Sequence, residues 1–250
     1  MSIRWEVAAA TDVGRVRQGN EDTYLVDAAR GLFLVADGMG GHAAGEIASA
    51  LAAETVGSAL VRGVDGGLDG DGLTQALTES FHSAHAAIGA RCEEDPNTRG
   101  MGTTLIALAV STTGAYLMGH VGDSRAYLMR GGRLGQVTRD HTWVQDEVDA
   151  GRLSSSGART HRFAHVITRA LGADSRATPD LVAGELLPGD LILLCTDGLT
   201  GMVSDVRLRR ILSAEVRLEE LVTALIDAAN GRGGTDNITV VLVRILDGTS

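Results

Sequence analysis

Leu32-Phe33-Leu34-Val35-Ala36 runs unbroken into Asp37-Gly38, and far along the chain Leu191-Ile192-Leu193-Leu194-Cys195-Thr196 runs into Asp197-Gly198. Short apolar runs closed by turn residues read as strands buried on both faces. Working outward, similar strand-type runs occupy residues 5–10, 24–26, 104–110, 115–121, 125–129, 181–186 and 238–245, with Gly131-Gly132 as a hairpin signal. Helical spacing covers residues 43–61 and 73–92, separated by a Gly/Asp-rich loop at 63–72, and again 205–213 and 218–229, with Ser204 placed as an N-cap. Strands cluster as hairpins and helices come in consecutive pairs, without strict alternation. That order predicts an α+β domain of two central antiparallel sheets flanked by helical pairs, a four-layer α-β-β-α arrangement over residues 1–250. Residues 140–175, with mixed charge, Ser154-Ser155-Ser156 and three histidines, are expected to form a surface flap.

Composition removes several classes of function. The 250 residues carry a formal net charge of −10, so nucleic acid and anionic membrane are not expected as partners. All 22 basic residues are arginine, which excludes a P-loop lysine, a kinase lysine, a Schiff base and a Ser-Lys dyad. Cys92 and Cys195 are far apart, frame neither a disulfide scaffold nor a zinc site, and suit a reducing cytoplasm. The opening Met1-Ser2-Ile3-Arg4-Trp5-Glu6 is not a secretory leader. Residues 103–122 lack formal charge, but Ser111-Thr112-Thr113-Gly114 and His120 make them two strands and a turn rather than a membrane span. The sequence ends soon after the last strand, which is expected to leave no room for a membrane helix or sensor domain.

Asp37 and Asp197 are not alone at strand ends. Val121-Gly122 leads into Asp123, and Gly233-Gly234-Thr235-Asp236-Asn237 precedes the strand that starts at Ile238. One Asp-Gly is ordinary turn chemistry; four carboxylates, each abutting a core strand, suggest convergence. Two unit charges about 4 Å apart repel by roughly 4 kcal/mol at an effective dielectric of 20. Several such pairs would exhaust a typical stability of about 5–15 kcal/mol. Divalent cations remove that problem, and oxygen-only donors point to Mg²⁺ or Mn²⁺. The loop Thr11-Asp12-Val13-Gly14-Arg15-Val16-Arg17-Gln18-Gly19-Asn20-Glu21-Asp22 can set a guanidinium beside such a centre, equipment suited to a phosphoryl group.

These segments resemble the metal-dependent protein phosphatases (PPM, or protein phosphatase 2C-like). The resemblance lies in Thr11-Asp12-x-Gly14-x-x-Arg17-x-x-Asn20-Glu21-Asp22 and Ala36-Asp37-Gly38-Met39-Gly40-Gly41-His42. It continues through Gly102-Thr103-Thr104, Val121-Gly122-Asp123-Ser124-Arg125, Thr138-Arg139-Asp140-His141 and Ile167-Thr168-Arg169-Ala170-Leu171-Gly172. Thr196-Asp197-Gly198-Leu199 and Gly234-Thr235-Asp236-Asn237-Ile238-Thr239 complete the series, in family order over nearly the whole chain. The resemblance implies a metal centre between the two sheets. Asp37 would bridge two ions and Gly38 would lend its carbonyl. Asp197 and Asp236 would complete one ion, Glu21 and Asp22 would hold waters, and Arg17 would bind the substrate phosphate. Asp123, with Asp197, would hold a third ion. The implied reaction is hydrolysis of phosphoserine and phosphothreonine on proteins by a metal-activated water, with Mn²⁺ or Mg²⁺, on the targets of a cognate Ser/Thr kinase.

The chain departs from eukaryotic relatives in reading Asp37-Gly38-Met39, the bacterial form, where those have Asp-Gly-His. Their general-acid histidine is absent at that position, and His42 is the substitute. His165 stands where relatives carry a small polar residue near the third ion. His82 and His85, three apart on a helix, read as surface or packing residues, as do Trp143, Val144 and Val148 toward the core. Ser124 lacks the Gly-x-Ser-x-Gly context of a nucleophile elbow. Two alternatives stay open: a non-catalytic phosphopeptide-binding scaffold, and a phosphatase dedicated to one regulator such as an anti-anti-sigma factor.

Overall fold

Side-chain alternation along each strand sorts the apolar residues into separate cores. In the computed structural model, which describes residues 2–40, 44–172 and 178–248, the strands are β1 (Ile3–Asp12), β2 (Asp22–Asp27), β3 (Leu32–Met39), β4 (Gly102–Thr103), β5 (Leu105–Val110) and β6 (Ala115–Val121). They continue with β7 (Arg125–Arg130), β8 (Arg133–Gln136), β9 (Leu171–Gly172), β10 (Asp180–Glu185), β11 (Leu191–Cys195) and β12 (Ile238–Asp247). The helices are α1 (Ala44–Asp65), α2 (Gly70–Glu94), α3 (Trp143–Asp149), α4 (Ser155–Ala158), α5 (Asp197–Thr200), α6 (Asp205–Leu212) and α7 (Leu218–Asn230). One sheet runs β1-β12-β11-β7-β8; the other runs β10-β6-β5-β3-β4-β9, with β2 also on β3. Every pairing is antiparallel.

In β11, Ile192 and Leu194 face the other sheet and meet Phe33, Val35, Ile106, Leu108, Val241 and Val243. The intervening Leu191, Leu193 and Cys195 face outward and pack under Leu208, Leu221 and Leu225 of α6 and α7. On the second sheet, Leu32, Leu34, Leu105 and Ala107 turn outward to Ala48, Ala52, Val56, Leu77 and Phe81 of α1 and α2. Both sheets are thus covered on both faces, which explains their unbroken apolar runs. Each fully buried Val, Leu or Phe contributes about 1.5–3 kcal/mol. The predicted α+β sandwich, helix pair on sheet on sheet on helix pair, is the observed architecture.

By length and composition α1 could cross a membrane. Its Ala48, Ala52, Ala53 and Gly57 are buried, and a Cβ at Gly57 would press on Leu25, so small residues serve close packing against the sheet. Two expectations need correction. Residues 140–142 do not lie on the surface: Asp140, His141 and Thr142 are buried, and exposure begins further into the segment. Ser204 occupies the N-cap position of α6, but its side chain makes no capping bond.

Candidate metal centre

Glycines bring the acidic strand ends together. A Cβ at Gly38 would strike the carbonyls of Gly45 and Glu21, so this end of β3 lies flat against the start of α1 and the Glu21 backbone. A Cβ at Gly198 would strike the Asn237 carbonyl, which sets Asp197 against Asp236 across the two loops. Gly122 has φ +107°, and a Cβ there would come 2.5 Å from the Thr104 side chain. Thr104 donates its N–H to the Asp37 carbonyl (2.9 Å), accepts the Asp37 N–H on Oγ1 (3.1 Å) and bonds Ser124 Oγ (2.7 Å). One threonine therefore ties the Asp37 strand end to the Asp123 turn. Gly14, also at positive φ, lies against the 234–236 loop, where Arg15 N–H donates to the Gly234 carbonyl at 2.7 Å. This contact delivers Arg17.

The acidic residues expected from the sequence thereby face one cleft. Asp22 is buried, opposite Asp37 across β2 and β3, and its Oδ2 accepts from Thr239 Oγ1 (2.6 Å) and Thr196 Oγ1 (2.9 Å). Burial, followed by the charges of Asp197 and Asp236, raises its pKa to about 7. Burial and the charges of Asp22, Asp197, Asp123 and Asp236 hold the Asp37 carboxyl well above its ordinary range. Asp123 is raised by burial and by Asp197 and Asp140, and Asp197 by burial and Asp236. Burial raises Glu21 too, partly countered by Arg17.

Arg17 closes the mouth of the cleft. Its Nη2 donates to Asp236 Oδ2 at 2.8 Å, and Nη1 lies 4.0 Å from Glu21 Oε2, with the side chain about half exposed. Burial weakens its hold on the proton, but Asp236, Glu21 and Asp37 outweigh that and raise its pKa. Asn237 serves as a brace: Oδ1 accepts the Glu21 N–H (2.8 Å), while Nδ2 donates to the carbonyls of Val13 (3.0 Å) and Gly19 (2.9 Å). His165 is exposed yet near enough for its charge to lower the Asp197 pKa. His42 lies outside the described residues. His85 has a packing role, its Nδ1 accepting the Gly172 N–H at 3.1 Å.

Among the described residues no three His, Cys, Asp or Glu side chains close on a ready-made ion cage. The donor set nevertheless fits divalent cations. Buried Asp22 Oδ1 and Asp123 Oδ1 have no hydrogen-bond partner, and burial with mutual repulsion raises the pKa of Asp22, Asp37, Asp123 and Asp197, a crowding that cations would relieve. Sequence reasoning assigned no role to the neutral members of this site. Thr104, Thr196, Thr239 and Asn237 hold the acids, and nothing in their local spacing distinguishes them from ordinary strand-end polar residues.

Residues 14–242 match the family described as protein phosphatase 2C. The chain is 40% identical over 240 residues to the serine/threonine protein phosphatase PstP of Mycobacterium tuberculosis, covering 96% of this chain and 45% of that protein. It is 37% identical over 241 residues to the protein phosphatase PhpP of Streptococcus pneumoniae, covering 95% of this chain and 96% of the relative. The crystal structure of M. tuberculosis PstP superposes with a TM-score of 0.89 at 39% identity, over 98% of this chain and all of that one. A second PstP structure, of its catalytic domain with two manganese ions, matches at TM-score 0.86 over 98% of this chain and 100% of that one, again at 39% identity. The chain thus spans less than half the length of full PstP but nearly all of PhpP. Fold, ordered motifs and these matches agree, and the chain belongs to the protein phosphatase 2C family.

Proposed function

We propose that this chain hydrolyses phosphoserine and phosphothreonine on proteins, using Mn²⁺ or Mg²⁺ held by its acidic cleft. The observation that carries the reading is the convergence of Asp22, Asp37, Asp123 and Asp197, all with raised pKa, beside the half-exposed Arg17. Asp37, the Gly38 carbonyl, Asp197 and Asp236 would hold two core ions, Glu21 and Asp22 would hold waters around them, and Asp123 with Asp197 would take a third. Bound there, such ions supply a water of lowered pKa and Lewis-acid stabilisation of the phosphoryl oxygens. Arg17, which now spends its fork on Asp236, is placed to grip two phosphoryl oxygens once cations take over the carboxylate's charge. Thr196 and Thr239 aim Asp22 and favour its ionised form by donating to one oxygen, which partly offsets burial and leaves Oδ1 for the cleft. His42, following the Asp37-Gly38-Met39 turn, is the nearest histidine in sequence for proton delivery to the leaving serine or threonine oxygen.

The PstP and PhpP names support protein substrates, and the manganese-bound PstP domain supports the metal. A cytoplasmic location and the targets of a Ser/Thr kinase accord with two unpaired cysteines and the arginine-flanked cleft. The test is release of phosphate from phosphoserine and phosphothreonine peptides. Activity is expected to vanish after chelation and dialysis and to return with Mn²⁺. Full activity in excess chelator would refute the reading.

A further inference from the structure

His141 sits in the Thr138-Arg139-Asp140-His141 segment, well separated in sequence from every carboxylate expected to bind metal, and the function proposed above gives it no part. It is 1% exposed and clamps the Gly122 peptide from both sides. Its backbone N–H donates to the Gly122 carbonyl at 2.9 Å, and its Nδ1 accepts the Gly122 N–H at 3.0 Å. A backbone N–H can only donate, so Nδ1 is the accepting nitrogen of this contact. The other ring nitrogen, Nε2, lies 3.0 Å from Asp180 Oδ2 on β10. Arg169 lies against the same ring edge and donates to Asp180 Oδ1 at 2.5 Å, so the carboxylate is fixed in turn. The ring packs on His120 with centroids 4.6 Å apart, and the His141 carbonyl accepts the Thr168 N–H at 2.8 Å.

Gly122 needs such a clamp. Its φ of +107° is open chiefly to glycine, which also leaves the peptide free to rotate when nothing holds it. The next residue is Asp123, whose buried Oδ1 has no partner of its own. We propose that His141, held in place by Asp180 and Arg169, is a positioning residue that locks the two peptide groups flanking Gly122 and so aims the Asp123 carboxylate at its cation. The arrangement is the carboxylate–histidine pair known beside metal ligands, here acting through a backbone amide rather than on the metal itself. The inference rests on the reading of Asp123 as a ligand, and the experiment separates the two.

Chelator-stripped protein is titrated with Mn²⁺ by calorimetry, and the Gly122 amide is followed by ¹H–¹⁵N NMR in the metal-free state. Asp123→Ala is expected to lose the weakest binding event. His141→Leu is expected to weaken that event about tenfold or more, leaving the tighter ones within twofold. His141→Asn offers Oδ1 where Nδ1 accepted and is expected to stay within about threefold of wild type. Asp180→Ala, at a half-exposed edge position, is expected to weaken the same event about threefold and to shift the Gly122 amide. Wild-type binding by His141→Leu and Asp180→Ala, with the event lost in Asp123→Ala, overturns the positioning role alone. Wild-type binding by Asp123→Ala overturns the ligand reading and this inference with it. Should His141→Leu not fold, Asp180→Ala decides: an unmoved Gly122 amide with unchanged Mn²⁺ binding refutes the proposal.

Discussion

Replacing Asp22 by asparagine is expected to stabilise the metal-free protein above neutral pH while impairing it as a phosphatase. The Asp22 carboxyl is displaced from 3.8 to about 7 by burial and by neighbouring acids. At about 1.36 kcal/mol per pKa unit this corresponds to at most about 4 kcal/mol. The sign follows from the direction. A folded-state pKa above the unfolded value means the native state binds the extra proton, so this contribution is complete below about pH 4 and is lost as pH rises through about 7. Asparagine is neutral throughout, and its carbonyl can still accept from Thr196 and Thr239. In chelator at pH 8 the variant is therefore expected to melt higher than wild type, by up to about 16 °C if 1 kcal/mol moves Tm by roughly 2–4 °C. At pH 4 the two are expected to coincide. Saturating Mn²⁺ narrows the gap, because wild type gains about 2.7 kcal/mol at a hundredfold excess over Kd and the variant gains less. Calorimetric melts at pH 4, 6 and 8, with and without metal, check all three statements. An Asp22→Asn variant that melts at or below wild type at pH 8 in chelator would refute the argument that acid crowding strains this cleft.

Asp37→Asn is expected to keep its fold and lose at least nine-tenths of kcat, a barrier increase above about 1.4 kcal/mol, measured on a phosphopeptide. Arg17→Ala is expected to raise KM more than it lowers kcat, because the guanidinium grips the phosphoryl group before and during reaction; stability should move by less than about 1 kcal/mol, since the Asp236 pair is half exposed. Gly198→Ala forces a methyl into the Asn237 carbonyl and is expected to cost about 1–3 kcal/mol while parting Asp197 from Asp236, so a Mn²⁺ titration should show weakened core binding even where the protein still folds.

The strands were legible because β5 is buried at all six positions and β12 at most of its length, so their sequences are nearly all apolar, with Thr239 and Arg244 the polar residues inside β12. The aspartates were legible for the complementary reason that they stop those runs. What local sequence could not show is pairing across distance. Asp22 finds its hydroxyls on Thr196 and Thr239, 174 and 217 residues away, and no spacing rule connects them. Asp140 and His141 looked like surface because they are polar. They are buried because Arg125 pairs with Asp140 at 2.6 Å and Gly122 with His141, partners that only the sheet packing supplies. The two-residue strands β4 and β9 are too short to leave a periodic signal, and α5 begins at Asp197-Gly198, a pair that reads as a turn.

The place of β12 has a consequence for how the protein comes into being. The last strand is not at an edge: it lies between β1 and β11, pairing Ile3 with Asp247 and Leu191 with Arg244. During synthesis β1 emerges more than 200 residues ahead of β12, the one strand paired with it among the described residues. Contacts of such sequence separation form late and slowly, and meanwhile the unpaired edges of β1 and β11 stand open to other chains. Asp236 enters with the same segment. A nascent chain that has not yet released residue 236 would therefore hold neither a closed first sheet nor a complete acidic cleft, so one event, the arrival of this segment, sets both.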